Sequence, residues 1–238
     1  MKDILKIMRF DFLTAKPLAL RAFIPVVVLF SLLSLFFSPL ISSYVTFGAM
    51  VFVIPLQAVA DKSGFNKLYG TLPVKRSNIT RARFLYIFLV HFASEMLELV
   101  LAVAAMSLKL YRVLPNRNGE IMQMVKDSFE NTKLTLLMVI GMFTVFCLMF
   151  SYMEMMGQIY GRENEFKIIM ITLGVLTVLL VGFFILSDRG IIPPIQMPSL
   201  PDTVQGILLL GTALNIVMCG ICLIFGEITA NKLAKREL

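Results

Sequence analysis

Long apolar segments separated by short polar ones dominate this sequence. An α-helix needs roughly 20 apolar residues to cross a bilayer, and several of the segments reach that length. Six segments can be counted, and they cover residues 18–38, 40–60, 82–108, 134–156, 168–187 and 204–226. The pattern therefore predicts an all-α polytopic membrane protein, in which residues 1–238 form a single transmembrane domain with six transmembrane helices.

Residues 1–17 are too polar to span a membrane, but they have the periodicity of an amphipathic helix. The apolar positions that recur at helical spacing are Ile4, Ile7, Met8 and Phe12. The basic side chains in the same stretch, those of Lys2, Lys6 and Arg9, point away from that apolar face. We therefore predict an interfacial helix that lies along the lipid headgroups.

The composition agrees with a membrane protein and excludes three other classes. Hydrophobic residues make up 58% of the chain, charged residues 16%, and the mean hydropathy is +0.85. Soluble globular domains are about 45–50% apolar and about 25% charged. A soluble enzyme, a disordered tail and a disulfide-stapled secreted domain are therefore excluded. The three cysteines lie in apolar segments, so ordinary helix packing is a simpler interpretation of Cys219-x-x-Cys222 than a redox or metal role.

The net charge of +7 is explained by the positive-inside bias of membrane proteins rather than by binding to nucleic acid. With six spans both termini lie on one side, and sixteen of the 22 Lys and Arg residues fall on that side. This distribution predicts cytoplasmic termini, with extracellular loops at residues 109–133 and 188–203. Because the 109–133 loop carries five of the remaining six basic residues, an arrangement with four or five spans stays open.

The connection between the second and third segments, residues 61–81, is the most informative polar stretch. Phe65, Leu68 and Tyr69 fall at i, i+3 and i+4, which predicts a short helix with a small apolar face. Glycines flank this helix, a proline follows it, and Ser77 is the predicted N-cap of the next helix. Two interpretations are open: docking into a groove on a soluble partner, or a membrane-surface loop whose basic residues lie among lipid phosphates.

This stretch resembles the loop of ABC-2 type transporter permeases, in which a glycine, a short aromatic helix and Leu-Pro-Val-x-Arg precede the third span. The matching residues are Gly64, Phe65, Leu68, Tyr69, Leu72, Pro73, Val74, Arg76 and Ile79. The layout of the whole chain is also similar, with an N-terminal interfacial helix, a tight first hairpin and six spans. The resemblance implies an ABC-2 (type V exporter-like) fold, a bacterial cell-membrane location and a cytoplasmic coupling loop at residues 61–81. It implies that the contacts with a separate ATPase subunit are made by Gly64, Phe65, Leu68, Tyr69, Leu72, Pro73 and Arg76.

The chain has no nucleotide-binding motif of its own. The P-loop pattern Gly-x-x-x-x-Gly-Lys-[Ser/Thr] is absent, and with it the cradle that holds nucleotide phosphates. Together with this absence, the resemblance implies a transport subunit rather than an enzyme, without a cofactor, whose ATPase partner holds ATP and magnesium. The resemblance further implies a second permease copy or homologue. The short chain and Met- and Phe-rich spans are most similar to exporters of amphipathic peptides, such as the phenol-soluble modulin and antimicrobial peptide exporters of Gram-positive bacteria.

His91, Glu95 and Glu98 are the polar residues of the third segment that need an explanation. Spacings of four and three residues place them on one helix face, and both glutamates fall near the middle of the membrane. Ionisable residues at that depth commonly mark a transport pathway, but they also hold helices together. A substrate pathway and a structural role, through neutral glutamates or a His91–Glu95 pair, therefore both stay open. A metal site is disfavoured because the chain has one histidine and the spacing His-x-x-x-Glu-x-x-Glu is not a metal motif.

A methionine stripe along the fourth segment is a second candidate part of a substrate pathway. Its members are Met138, Met142, Met149, Met153, Met155 and Met156. Adaptable packing is the simpler interpretation, since methionine fills irregular gaps between helices. Methionine surfaces also suit varied apolar ligands, and Met149 and Met153 are the candidate substrate contacts.

Two functions from other classes compete with an exporter. A proton-coupled secondary carrier would relay protons through His91, Glu95 and Glu98, although the chain has no internal repeat and no convincing pair of broken helices. An intramembrane hydrolase is disfavoured because no set of nucleophile and base is apparent.

Overall fold

The computed structural model describes residues 2–62, 75–113, 120–190, 193, 201 and 203–235 of the chain. The α-helices in these ranges are α1 (Lys2–Phe36), α2 (Thr46–Lys62), α3 (Arg76–Leu108), α4 (Glu120–Glu130), α5 (Thr132–Tyr160), α6 (Arg162–Asp188) and α7 (Val204–Ala234). Two 3-10 helices, Pro39–Val45 and Leu110–Val113, precede α2 and follow α3. No strand occurs in the described ranges, which agrees with the predicted all-α class.

In the part of the chain that the structure describes, five helices are long and apolar enough to cross a membrane, namely α1, α3, α5, α6 and α7. The chain is therefore a multi-pass membrane protein. α2 has 17 residues, or about 26 Å of helix, and the 3-10 helix Pro39–Val45 leads into it from the end of α1. Contacts of Phe23 with Gly48 and of Phe12 with Phe52 show that α2 runs antiparallel to α1.

Several helices extend beyond the apolar segments that predicted them. α3 begins inside the predicted 61–81 loop, so residues 76–81 are helical rather than part of a loop. Lys75, not Ser77, occupies the N-cap position of α3, and it makes no side-chain cap hydrogen bond. Between α5 and α6 only Gly161 is non-helical, with a φ of 87°. The polar residues in these additional turns form ion pairs such as Arg81 with Glu227, and a pattern of apolar residues does not predict such pairs.

α1 runs without a break through Pro17 and Pro25. The sequence predicted an interfacial helix over residues 1–17 followed by a separate first span. In the structure one continuous helix covers both. Part of the apolar face predicted for this region is buried, and α3 covers that part: Ile7 and Met8 pack into a cluster with residues of α3, whereas Phe12 is 40% exposed. A proline in a helix interior costs about 3 kcal/mol, and this packing offsets the lost backbone hydrogen bond.

The predicted extracellular loop at residues 109–133 contains structure of its own. Lys109 adopts a left-handed conformation with a φ of 48° and ends α3. The following helix α4 packs its Phe129 ring against Tyr111, with the ring centroids 4.7 Å apart. The other predicted outer loop, residues 188–203, lies largely outside the described residues.

α3 lies at the centre of the bundle. It packs against α1, α2, α5 and α7, and α5 and α7 also pack against each other. α6 packs mainly against α5 and leaves most of its apolar side chains exposed. The start of α1 and the end of α7 lie at one end of the bundle, because Ile7 packs with Ile79 and Glu227 pairs with Arg81. An even number of crossings requires this arrangement.

Gly48 sets the closest approach of α1 and α2. A Cβ atom at this position would lie 2.7 Å from Phe23 Cδ2 and 2.9 Å from Phe23 Cε2. We expect Gly48→Ala to destabilise the detergent-solubilised protein by about 1–3 kcal/mol, because the Phe23 ring has to shift. Gly141→Ala is the matched control, since nothing lies within 4 Å of its Cβ position. Thermal unfolding measures both variants, and equal midpoints would show that the Phe23 ring moves aside freely.

Candidate functional site

α3 brings three ionisable side chains to the interior of the bundle. His91, Glu95 and Glu98 are 0%, 1% and 0% exposed, and their spacings of four and three residues place them on one face of this helix. α3 is surrounded by other helices on most sides, so this face is covered by protein rather than by lipid. The three residues proposed from the sequence therefore lie together in the bundle.

Each of these side chains contacts a different neighbour. His91 Nδ1 donates a hydrogen bond to the carbonyl oxygen of Ile87 at 2.9 Å, and no hydrogen bond or ion pair joins His91 to Glu95 in the described part of the chain. Glu95 Oε2 accepts a hydrogen bond from Asn215 Nδ2 of α7 at 2.9 Å. Glu98 Oε1 accepts one from Ser94 Oγ at 3.0 Å. The polar cluster (His91, Glu95, Glu98 and Asn215) thus links α3 to α7.

The Glu98 carboxyl also lies beside the backbone amide of Thr46, the first residue of α2. The partial positive charge at a helix start favours a nearby carboxyl group. α2 leads from this point towards residues 63–74, which connect it to α3. Glu98 therefore couples the start of α2 to the centre of α3.

Some polar atoms of the cluster have no hydrogen-bond partner among the described residues. They are His91 Nε2, Glu98 Oε2 and Asn215 Oδ1. Buried polar groups are nearly always hydrogen-bonded, so unpaired ones in one small region indicate a site with unused binding capacity. Sequence reasoning missed Asn215, although an asparagine inside the apolar segment 204–226 carries the same signal as the glutamates.

Two apolar layers enclose the polar cluster. The aromatic layer, towards the start of α3, consists of Phe88, Phe143 and Phe150. The aliphatic layer, towards the end of α3, consists of Leu99, Leu136, Ile140 and Ile207. The His91 ring borders the aromatic layer, with its centroid 5.4 Å from that of Phe150. Since the three ionisable side chains are also fully buried, the cluster is closed towards both ends of the bundle.

Ion pairs tie the start of α3 to its neighbours beyond the aromatic layer. Arg81 contacts Glu227 of α7 at 2.7 Å from Nε to Oε1 and donates a hydrogen bond to its Oε2 at 2.9 Å. Arg83 lies 3.5 Å from Glu154 of α5, and Gln158 donates to the same carboxylate oxygen at 2.6 Å. These contacts hold α3, α5 and α7 together at the end of the bundle where the chain termini lie.

The methionines proposed as substrate contacts do not share one environment. Met153 packs beside the aromatic layer, in the group that contains Phe150 and Val53. Met149 is 37% exposed on the outside of α5, so the structure does not bring it to the polar cluster. Adjacent helix positions differ by about 100° in direction, and the burial of Phe150 turns Met149 outward.

The thiols form a packing contact between α5 and α7. Cys147 Sγ lies 3.8 Å from Cys222 Sγ, and Ser151 Oγ lies 3.1 Å from Cys222 Sγ. All three cysteines of the chain are free. Within the described ranges, no group of three or more His, Cys, Asp or Glu residues is arranged to hold a metal ion.

The residues proposed to contact an ATPase lie mostly outside the described residues. These are Gly64, Phe65, Leu68, Tyr69, Leu72 and Pro73. Arg76 is described as the first residue of α3. No protein-family model, curated protein or solved structure matches this chain. Function is therefore inferred from the chain's own residues and contacts.

Proposed function

We propose that this chain is the transmembrane permease subunit of an ATP-driven ABC exporter that moves an amphipathic peptide out of a bacterial cell. The observation that carries the proposal is the position of α3. This helix directly follows residues 63–74, which hold most of the ABC-2-like motif, and it also carries three members of the polar cluster at the bundle centre. A push on that segment would act on the helix that closes the site.

We propose six spans, with α2 and the 3-10 helix before it as the second, and both termini in the cytoplasm. The antiparallel course of α2 along α1 supports the sixth crossing. The positive-inside bias supports the orientation, because sixteen of the 22 Lys and Arg residues belong to the terminal segments and to the connections that six spans would place on the same side. The ATPase subunit would bind at that end, and a second permease copy or homologue would complete the exporter.

Co-purification with an ATPase tests the proposal. We expect the chain to co-purify in detergent with the ABC ATPase encoded beside its gene and to change the ATPase rate. Leu68→Asp and Tyr69→Asp place a charge on the proposed apolar docking face, so each variant should reduce the recovered ATPase about tenfold or more. Val113→Asp is the matched control, since this apolar residue is exposed at the opposite end of the bundle.

Two results would contradict the proposed coupling. If Leu68→Asp and Tyr69→Asp retain the ATPase as Val113→Asp does, residues 63–74 do not form the docking site. If the wild-type chain binds no ATPase, the exporter proposal fails as a whole.

A proton-coupled carrier is the second candidate function. The observation that favours it is the unpaired Nε2 of His91 next to two buried carboxyl groups on the same helix face. Transport in ATP-free proteoliposomes separates the two functions. A carrier moves substrate when only a pH gradient is applied, and an ATP-driven exporter does not.

A further inference from the structure

Glu95 and Glu98 are buried carboxyl groups without a basic partner. Among the described residues, no lysine or arginine forms an ion pair with either of them. The basic residues of α3 that form ion pairs do so with α5 and α7 beyond the aromatic layer. Each group accepts one hydrogen bond, from Asn215 or from Ser94, but a carboxylate buried without a counter-charge costs several kcal/mol or takes up a proton. A cation from outside the bundle is the partner that would favour the ionised form of both groups.

Two of the unpaired atoms of the polar cluster are oxygen atoms that accept hydrogen bonds. Glu98 Oε2 and Asn215 Oδ1 have no hydrogen-bond partner among the described residues, and both are oxygen acceptors. Asn215 is hydrogen-bonded to Glu95, so its free oxygen belongs to the same site as that carboxyl group. Ammonium and guanidinium groups both carry N–H donors and no acceptor, and the ammonium group of lysine is the more compact of the two cations that complement such a set.

The surroundings of the polar cluster set a second requirement for any ligand that binds there. The aromatic layer and the aliphatic layer lie on either side of it along α3. A ligand that reaches the acceptors therefore also presents apolar groups to both layers. A cationic side chain between apolar residues of an amphipathic helix meets both conditions.

We infer that Glu95, Glu98 and Asn215 form the binding site for a lysine ammonium group of the exported peptide, which makes cationic amphipathic peptides the substrate class. The inference rests on the proposed exporter function, because the site is closed in this structure and a driven movement of α3 has to open it. The Glu95 and Glu98 carboxylates then hold the ammonium group, while the two layers contact the flanking apolar residues.

Peptide binding to the full chain with its ATPase, in phosphatidylcholine nanodiscs, tests the inference. The probe is a fluorescently labelled Leu–Lys amphipathic helix, and its matched control is the same peptide with acetylated lysines, which lack the charge. Wild type should bind the charged peptide more tightly. Glu95→Gln and Glu98→Gln should each weaken that binding about tenfold or more, with little effect on the acetylated peptide.

Glu154→Gln is the matched control variant, because Glu154 is a buried carboxylate of the same bundle that already has an arginine partner. It should keep the preference for the charged peptide. Thermal midpoints of all three variants separate binding from folding.

Three results would overturn the inference. The first is equal binding of the charged and acetylated peptides by wild type. The second is that Glu95→Gln and Glu98→Gln keep the full preference for the charged peptide. The third is that these variants lose binding of both peptides and have a lowered thermal midpoint, which indicates a structural role. The proposed function fails by a different measurement, the ATPase co-purification, in which no peptide takes part.

Discussion

Phe143→Ala is expected to destabilise the protein by about 3–5 kcal/mol, the range for removing a fully buried aromatic side chain. Phe143 has no exposed surface, and it packs with Phe88 of α3 and with Met218 and Cys222 of α7. The neighbouring helices α3 and α7 cannot both move in to fill the space that the ring leaves. Unfolding of the purified protein in detergent, by heat or by SDS titration, measures the loss.

Phe184→Ala is the matched control for this prediction. It removes the same ring from α6, where Phe184 is 64% exposed. We expect a change within about 0.5 kcal/mol, as for surface positions in general. Equal losses in the two variants would mean that the aromatic layer does not carry the packing of α3, α5 and α7.

A second consequence of Phe143→Ala concerns access to the polar cluster. Cys147 lies one helical turn from Phe143 and is fully buried. Removing the ring should let a small water-soluble maleimide label Cys147 several-fold faster than in the wild type, under conditions where the variant remains folded. Unchanged labelling would show that other residues keep this end of the site closed.

The apolar pattern of the sequence predicted most of the fold, because membrane-spanning helices are encoded by long runs of apolar residues. It placed α3, α5, α6 and α7 within a few residues of their observed centres. It failed at the helix ends, where the extra turns carry polar residues such as Arg81 and Glu227, whose partners lie far apart in sequence. Local periodicity carries no information about such partners.

The candidate site was predicted in part for the same reason. The spacing of His91, Glu95 and Glu98 fixes a shared helix face, and the structure buries that face. Which neighbours cover it depends on tertiary packing, so the Asn215 contact and the aromatic layer could not be read from α3 alone. Met149 was predicted as a substrate contact but is exposed on the outside of α5. A stripe of methionines in a helix that is apolar on all sides does not indicate which side faces the core.

Arg83→Met is expected to destabilise the protein by about 3–5 kcal/mol, because it removes a basic partner from the buried carboxylate of Glu154. The side chains of this pair are 11% and 3% exposed. Arg81→Met is the matched control on the same helix, since the Arg81 and Glu227 side chains are 39% and 49% exposed. Water screens that pair, so the loss should stay within about 1 kcal/mol.

The double variant Arg83→Met with Glu154→Met distinguishes the loss of a partner from the loss of packing. If the cost of Arg83→Met comes from a buried charge left with less compensation, removing the carboxylate as well should restore much of the stability. Packing losses would instead add up, and the double variant would then be less stable than either single one. SDS or thermal unfolding of wild type, the two single variants and the double variant completes this double-mutant cycle. A recovered double variant would mean that the Arg83–Glu154 contact contributes little net stability and serves to fix how α3 packs on α5, at the end of the bundle where the proposed ATPase acts.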